Sequence, residues 1–175
     1  MAHPEQREFF NDMLTKFPYY FHDAVVLEVG SLDINGTVRD FFFECAYTGV
    51  DLEEGPGVDV VGQGQELDYP DRHFDVVVSA ECFEHNPHWW ETFVNMTRMC
   101  RGLVLFTCAT HGRAEHGTSR TTPANSPFTV AAGWDYYRNL GANDFSRAFL
   151  SAHFSDWNFA VNQSSHDLYF WGLVK

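Results

Sequence analysis

Three stretches, VVLEV at 25–29, FDVVVSA at 74–80 and LVLFTCA at 103–109, are apolar at nearly every position rather than at every second one. A strand with one wet face alternates. A strand covered on both faces does not, and such strands belong to parallel sheets packed between helices. Two weaker strands fit the same pattern: CAYTGVD at 45–51 and the short VDVV at 58–61. Residues 4–17 place apolar side chains at 9, 10, 13, 14 and 17 behind Pro4, which is an amphipathic helix that Pro18 closes. Further helices are expected near TVRDFF after Gly36, from about Pro87 (apolar at 89, 90, 93, 96 and 99), and over 143–153. Two last strands, 157–164 and 168–174, flank a turn at 165–167. The expected fold is α/β: a doubly wound, Rossmann-like seven-stranded sheet, mostly parallel, with an antiparallel C-terminal strand. No repeat or boundary divides the chain, so 1–175 is read as one domain, with 1–24 as an N-terminal helix and lead-in. Residues 110–135 are rich in Gly, Pro, Ser and Thr. A loop that long in a compact domain is usually functional or disordered, and 110–140 is read as the substrate loop.

Composition removes several function classes. The formal charge of −13 repels phosphate backbones, so no nucleic-acid partner is expected. Only Lys16 and Lys175 could supply an amine, which sets aside Schiff-base chemistry. Cys45, Cys82, Cys100 and Cys108 form no C-x-x-C pair and read as reduced, mostly buried thiols. The nine histidines show neither H-x-x-x-H nor H-E-x-x-H spacing, so no metal site is read from them. No apolar run is long enough to span a bilayer and the N-terminus is polar, so a cytoplasmic protein with no membrane contact is expected.

The polar residues collect at strand ends. Glu28, Gly30 and Ser31 follow the first strand, Asp51 ends the second, Gly62 to Gln65 follow the third, and Ala80 and Glu81 follow the fourth. In an open α/β sheet these ends border the ligand crevice, so the groups are expected to converge. The first turn, VVLEVGSLDING, has no dinucleotide glycine cluster and carries Glu28. A pyrophosphate wants bare amides and a helix N-terminus, and a carboxylate beside it costs Coulomb energy. S-adenosylmethionine (SAM) has no phosphate and carries a sulfonium and an ammonium. Glu28 suits those charges, Asp51 can accept hydrogen bonds from ribose hydroxyls, and Gly30 lets the backbone come close. The ordinary alternatives are a Glu28–Arg39 ion pair and Asp51 as a strand-end turn residue.

LEVGSLDING, GVDLEEGPGVDVV, GQGQEL and FDVVVSAECFEH, in that order, resemble the class I SAM-dependent methyltransferases, in the group with a Glu-His pair after the fourth strand. The resemblance covers about residues 25–110. It implies that Glu28, Gly30, Ser31 and Gly36 line the methionine part of the cofactor and that Asp51 holds the ribose. It further implies that Leu52, Gln63 and Gly64 flank the adenine, and that Ala80 and Glu81 border the methyl-transfer site. Two departures stand out. The usual G-x-G-x-G is reduced to Gly30 and Gly36, and Gln63 stands where an aspartate is common.

Methyl transfer from a sulfonium mainly needs alignment and exclusion of water. A hydroxyl acceptor also needs a base. His85 and His111 are the candidates, with Glu81 as an orienting group. His116, Arg120, Tyr137 and Arg138 are expected to hold a small acceptor, anionic or sugar-containing, and HGTSRTTPANSP at 116–127 looks like a segment found in some of these methyltransferases. The alternative is a solvated loop whose arginines pair with Glu115 and Asp135. The sequence reading is thus a SAM-dependent methyltransferase acting on a small molecule at oxygen. Two other readings stay open: an NAD(P)-dependent oxidoreductase and a non-catalytic SAM-binding partner module.

Overall fold

A computed structural model describes residues 3–175. Its strands are β1 Val25–Val29, β2 Ala46–Asp51, β3 Val60–Val61, β4 Phe74–Ala80, β5 Cys100–Ala109, β6 Phe154–Asn162 and β7 Asp167–Val174. They form one sheet in the order β3-β2-β1-β4-β5-β7-β6. β1 to β5 pair in parallel. β7 runs antiparallel to both β5 and β6, so the reversed strand is the C-terminal one, as expected.

The continuous apolar runs have the expected cause. In β4, Val76 and Val78 face one layer and Val77 the other; in β5, Leu103 and Leu105 are opposed to Val104 and Phe106. One layer is closed by α1 (Pro4–Lys16) through Phe9, Phe10 and Met13, together with Phe41 and Phe42. The other is closed by α2 (Trp89–Met99) and α4 (Arg147–His153) through Phe93, Met96 and Leu150. Phe93 is fully buried and meets the rings of Phe145 and Phe170 at 5.3 and 5.6 Å. Phe93→Ala is therefore expected to lower stability by about 3–5 kcal/mol. Urea denaturation measures this; a loss below about 1 kcal/mol contradicts the packing described.

Several boundaries differ from the sequence reading. The helix expected after Gly36 is a single 3-10 turn, Val38–Phe41, with Thr37 Oγ1 accepting from the Arg39 amide at 3.1 Å. The chain must rejoin the sheet at Ala46, and Glu44 turns it there with φ +56°. α2 starts at Trp89, because Asn86 Oδ1 accepts from the His88 amide at 2.8 Å and holds that segment as a turn. The 143–153 segment divides into a 3-10 turn, Ala142–Asp144, and α4, whose cap Ser146 accepts from the Phe149 amide. β6 begins earlier, at Phe154, which is buried and pairs with Val174. The 110–135 stretch has structure of its own: a 3-10 turn, Pro123–Asn125, and α3 (Pro127–Ala131), each opened by a proline. No helix among the described residues is long and apolar enough to cross a membrane.

Strand order reverses between β1 and β4, because the chain builds outward from β1 through β2 and β3, then from β4 through β5. Ligands in open α/β sheets bind at such a switch, beyond the carboxyl ends of the strands.

Candidate active site

At the switch, β1 ends in Gly30, which has φ +83°. A β-carbon there would lie 2.6 Å from Cys82 Cβ, so the turns after β1 and β4 pack backbone against side chain with no room between them. Gly30→Ala combines this clash with a left-handed backbone. It is expected to lower the thermal midpoint and cost about 2 kcal/mol; an unchanged midpoint would remove the claim of close approach.

β2 ends in Asp51. Its Oδ2 accepts from the Leu32 amide at 2.9 Å and its Oδ1 from the Leu52 amide at 2.8 Å. Burial raises the Asp51 pKa and these two N–H groups oppose the rise. The bonds hold the carboxylate in one orientation while each oxygen keeps accepting capacity for a ligand.

Three compartments meet around Gly30. The first is an open crevice lined by Asp51, Ala80, Glu81, Cys82 and His85 and by residues 125–129 of the loop. The second holds Asp51, Leu52, Gly62, Gly64, Asn86 and Trp134. The third holds Glu28, Ser31, Gly36 and Thr37, with Gln6 reaching in from α1. Glu28 and Asp51 thus sit in adjoining compartments that share Gly30, rather than in one undivided cavity.

Glu28 is buried and accepts from Tyr47 Oη at 2.8 Å. Burial pushes its pKa up to about 7 and the Tyr47 hydrogen bond opposes that. The Glu28–Arg39 pair is not formed: Arg39 bonds Asp59 and lies over the Tyr47 ring. Ser31 is buried, and its Oγ, turned toward Gly49, has no partner among the described residues.

The β4 end carries a second group of polar side chains. Glu81 adopts φ +53°, a strained backbone for a residue with a β-carbon and one that clusters at functional sites. It is buried, its carboxylate oxygens accept no hydrogen bond among the described residues, and Arg113 Nη2 stands 3.9 Å away. His85 is buried and its Nδ1 has no partner among the described residues. Burial, then the neighbouring His116, pushes the His85 pKa down to about 3. The rings of His116 and Tyr137 stand 4.9 and 5.6 Å from that of His85.

Other expected residues lie elsewhere. Gln63 faces an outer groove with Val60 and Tyr69, and its Oε1 accepts from Gln65 at 2.8 Å. His111 is exposed and packs against Gly141. Arg120 pairs with Glu115 at 2.8 Å and Asp135 at 3.0 Å, and Arg138 pairs with Asp144 at 2.5 Å. None of these four lines the three compartments. The two acids that Arg120 meets are those named in the alternative of a solvated loop.

The structure also brings in residues the sequence reading left out. Cys82 and Asn86 line the crevice one and five residues after Glu81, where position after β4 was a usable signal. Phe128, Thr129 and Trp134 line it from α3 and the segment after it. Nothing in their spacing marked them.

The methyltransferase domain family matches residues 27–106. No curated protein matches the chain by sequence. Solved structures do. The 1,6-didemethyltoxoflavin-N1-methyltransferase of Burkholderia thailandensis, with bound 1,6-didemethyltoxoflavin and S-adenosylhomocysteine, aligns over 100% of this chain and 92% of its own at 17% identity and TM-score 0.59. Phosphoethanolamine N-methyltransferase 2 of Haemonchus contortus aligns over 96% and 52% at 16% identity and TM-score 0.63. A SAM-dependent methyltransferase of Archaeoglobus fulgidus aligns over 95% and 94% at 13% identity and TM-score 0.61. The chain spans about half the length of the Haemonchus protein and 48% of a further relative from Galdieria sulphuraria. At these identities the likenesses speak for the fold, and the family match speaks for the segment that carries the β1, β2 and β4 strand ends. Residues 27–106 match the methyltransferase domain family, and the chain has the fold of solved SAM-dependent methyltransferases.

Proposed function

We propose that the protein binds SAM across the three compartments and moves its methyl group to an oxygen of a small molecule held between the β4 end and the 110–140 loop. The observation that carries this reading is Asp51: a carboxylate oriented by the Leu32 and Leu52 amides at the β2 end, opening on the crevice that Gly30 and Cys82 narrow. Ribose hydroxyls would donate to Asp51. The adenine would enter the compartment of Leu52, Gly64 and Trp134. The methionine ammonium would face Glu28 in the third compartment.

The methyl group would then point toward Glu81 and His85. Transfer is an in-line displacement: the acceptor oxygen's lone pair bonds to carbon as the sulfur–carbon bond breaks, that bond's electron pair returns to sulfur and neutralises the sulfonium, and the hydroxyl proton would pass to the Glu81 carboxylate, which lines the same crevice. The chain's part is alignment and a dry site. Buried His85 is a weak proton acceptor near neutral pH. Its neutral ring suits accepting a hydrogen bond from an acceptor hydroxyl and so orienting it. Arg120 and Arg138 are already committed to carboxylates, which favours a neutral hydroxyl-bearing acceptor over an anionic one. The Burkholderia and Haemonchus relatives hold small molecules, 1,6-didemethyltoxoflavin and phosphomonomethylethanolamine.

Release of S-adenosylhomocysteine in the presence of hydroxylated small molecules and their amine analogues tests this. Turnover with the hydroxylated set is expected. Turnover with the amines alone overturns the oxygen assignment. Tight cofactor binding without turnover on either set favours the non-catalytic module.

A further inference from the structure

We infer that Glu84, His85 and His116 bind a single divalent transition-metal ion of the zinc type at the inner edge of the acceptor compartment; its link to methyl transfer rests on the function proposed above. One donor atom from each of the three residues lies within 4.8 Å of the others. A tetrahedral zinc ion with ligands at about 2.0–2.2 Å spaces its donors about 3.4 Å apart. The donors would therefore draw together by at most about 1.4 Å on loading.

The donors are weakly committed: the Glu84 and Ala109 amides approach the Glu84 carboxylate, and the Tyr136 carbonyl approaches the His85 ring. Glu84 is fully buried, and neither of its carboxylate oxygens has a hydrogen-bond partner among the described residues. Backbone N–H groups nearby exert a favourable field on it that falls short of a hydrogen bond. It makes no ion pair among the described residues. His85 Nδ1, beside it in the chain, is unpartnered too. Buried polar atoms nearly always find partners, and three orphans at one place point to a missing occupant.

The third ligand is already oriented. His116 Nδ1 lies 3.1 Å from the Ala114 carbonyl oxygen, which can only accept, so Nδ1 carries the hydrogen and Nε2 presents a lone pair. A metal-bound histidine is commonly fixed this way through its other nitrogen. Tyr137 Oη donates to the same carbonyl at 3.1 Å, and its ring closes the side of both imidazoles.

A second cluster, His3, Glu81 and Asp167, has similar spacing but a different electrostatic state. There Arg113 meets Asp167 at 2.6 Å and His3 meets it at 3.1 Å, so the cation's place is taken. Around Glu84 no arginine, lysine or histidine ion pair stands among the described residues. Two imidazoles and one carboxylate suit zinc, cobalt, nickel or iron rather than magnesium. Three protein ligands leave a coordination position open. His85 lines the acceptor compartment, so in the loaded site an acceptor oxygen would fill that position and be polarised there, in place of the hydrogen bond to His85. The ion would also pin the 110–140 loop to the end of β4.

The test is calorimetric titration of the full chain, stripped with chelator and dialysed, with zinc chloride and separately with magnesium chloride. One zinc site per chain is expected, with no magnesium heat. Cobalt chloride should give visible absorption bands of a low-coordinate site. Glu84→Gln and His116→Ala should each weaken zinc binding at least ~100-fold with far-UV circular dichroism unchanged. His116 lies on a loop, so its variant remains informative if Glu84→Gln fails to fold. No zinc heat, or the same zinc affinity in folded His116→Ala, overturns the inference. The same preparation is titrated with S-adenosylhomocysteine. Zinc binding without cofactor binding sinks the methyl-transfer reading and keeps the ion site; the reverse result sinks the ion site alone.

Discussion

Asp51→Ala is expected to weaken binding of SAM and of S-adenosylhomocysteine by ~100-fold or more. Each hydrogen bond from a ribose hydroxyl to a charged acceptor contributes about 1.5–3 kcal/mol, and the geometry leaves Asp51 able to take two. Truncation also frees the Leu32 and Leu52 amides, so the loop after β1 loses the anchor that holds it against β2. Asp51→Asn keeps the shape and one accepting oxygen, and should retain part of the affinity. Calorimetry on folded variants measures the series. Wild-type affinity in Asp51→Ala would mean that the ribose lies elsewhere.

Glu28→Gln is expected to act with opposite signs on stability and on binding. Burial raises the folded-state pKa of Glu28 from 4.5 to about 7. The folded protein then holds this proton where the unfolded chain has released it, so this group's contribution to stability falls as pH rises from about 4.5 to about 7 and is flat above. That interval corresponds to about 3 kcal/mol of destabilisation at pH 8. Glutamine is neutral at every pH and can accept the same Tyr47 hydrogen bond. The ligand-free variant should be more stable than wild type by about 3 kcal/mol at pH 8 and by only about 1 kcal/mol or less at pH 5. In the proposed complex the ammonium of SAM faces Glu28, so the same variant should bind cofactor more weakly. Denaturation at the two pH values, beside calorimetry, checks both halves. A destabilised variant at pH 8 would contradict the buried, uncompensated state of Glu28.

The sheet was legible because burial on two faces leaves a mark that periodicity carries: Val25–Val29 and Phe74–Ala80 were bounded to the residue. Gly30, Asp51, Ala80 and Glu81 were legible for a topological reason, since parallel strand ends share one edge of the sheet. Helix limits near Asn86 and Ser146 depended on side-chain caps that outweighed the apolar period. The loop was not legible. Arg120 and Arg138 look available to an acceptor in the sequence, yet Glu115, Asp135 and Asp144 claim them at distances set only by the folded path. Glu84 and His116 lie 32 positions apart in the chain, so no spacing rule announces that they meet. The third compartment was half legible: Glu28 stood out, but its seat beside Gln6 of α1 did not.

The central claim is that the strand-end crevice is built for a phosphate-free, positively charged nucleoside. Calorimetric titration of the wild-type chain with S-adenosylhomocysteine, SAM and NAD+ tests it most directly. Micromolar binding of the first two and no heat with the third is the predicted result; heat with NAD+ and none with either sulfur compound would contradict it.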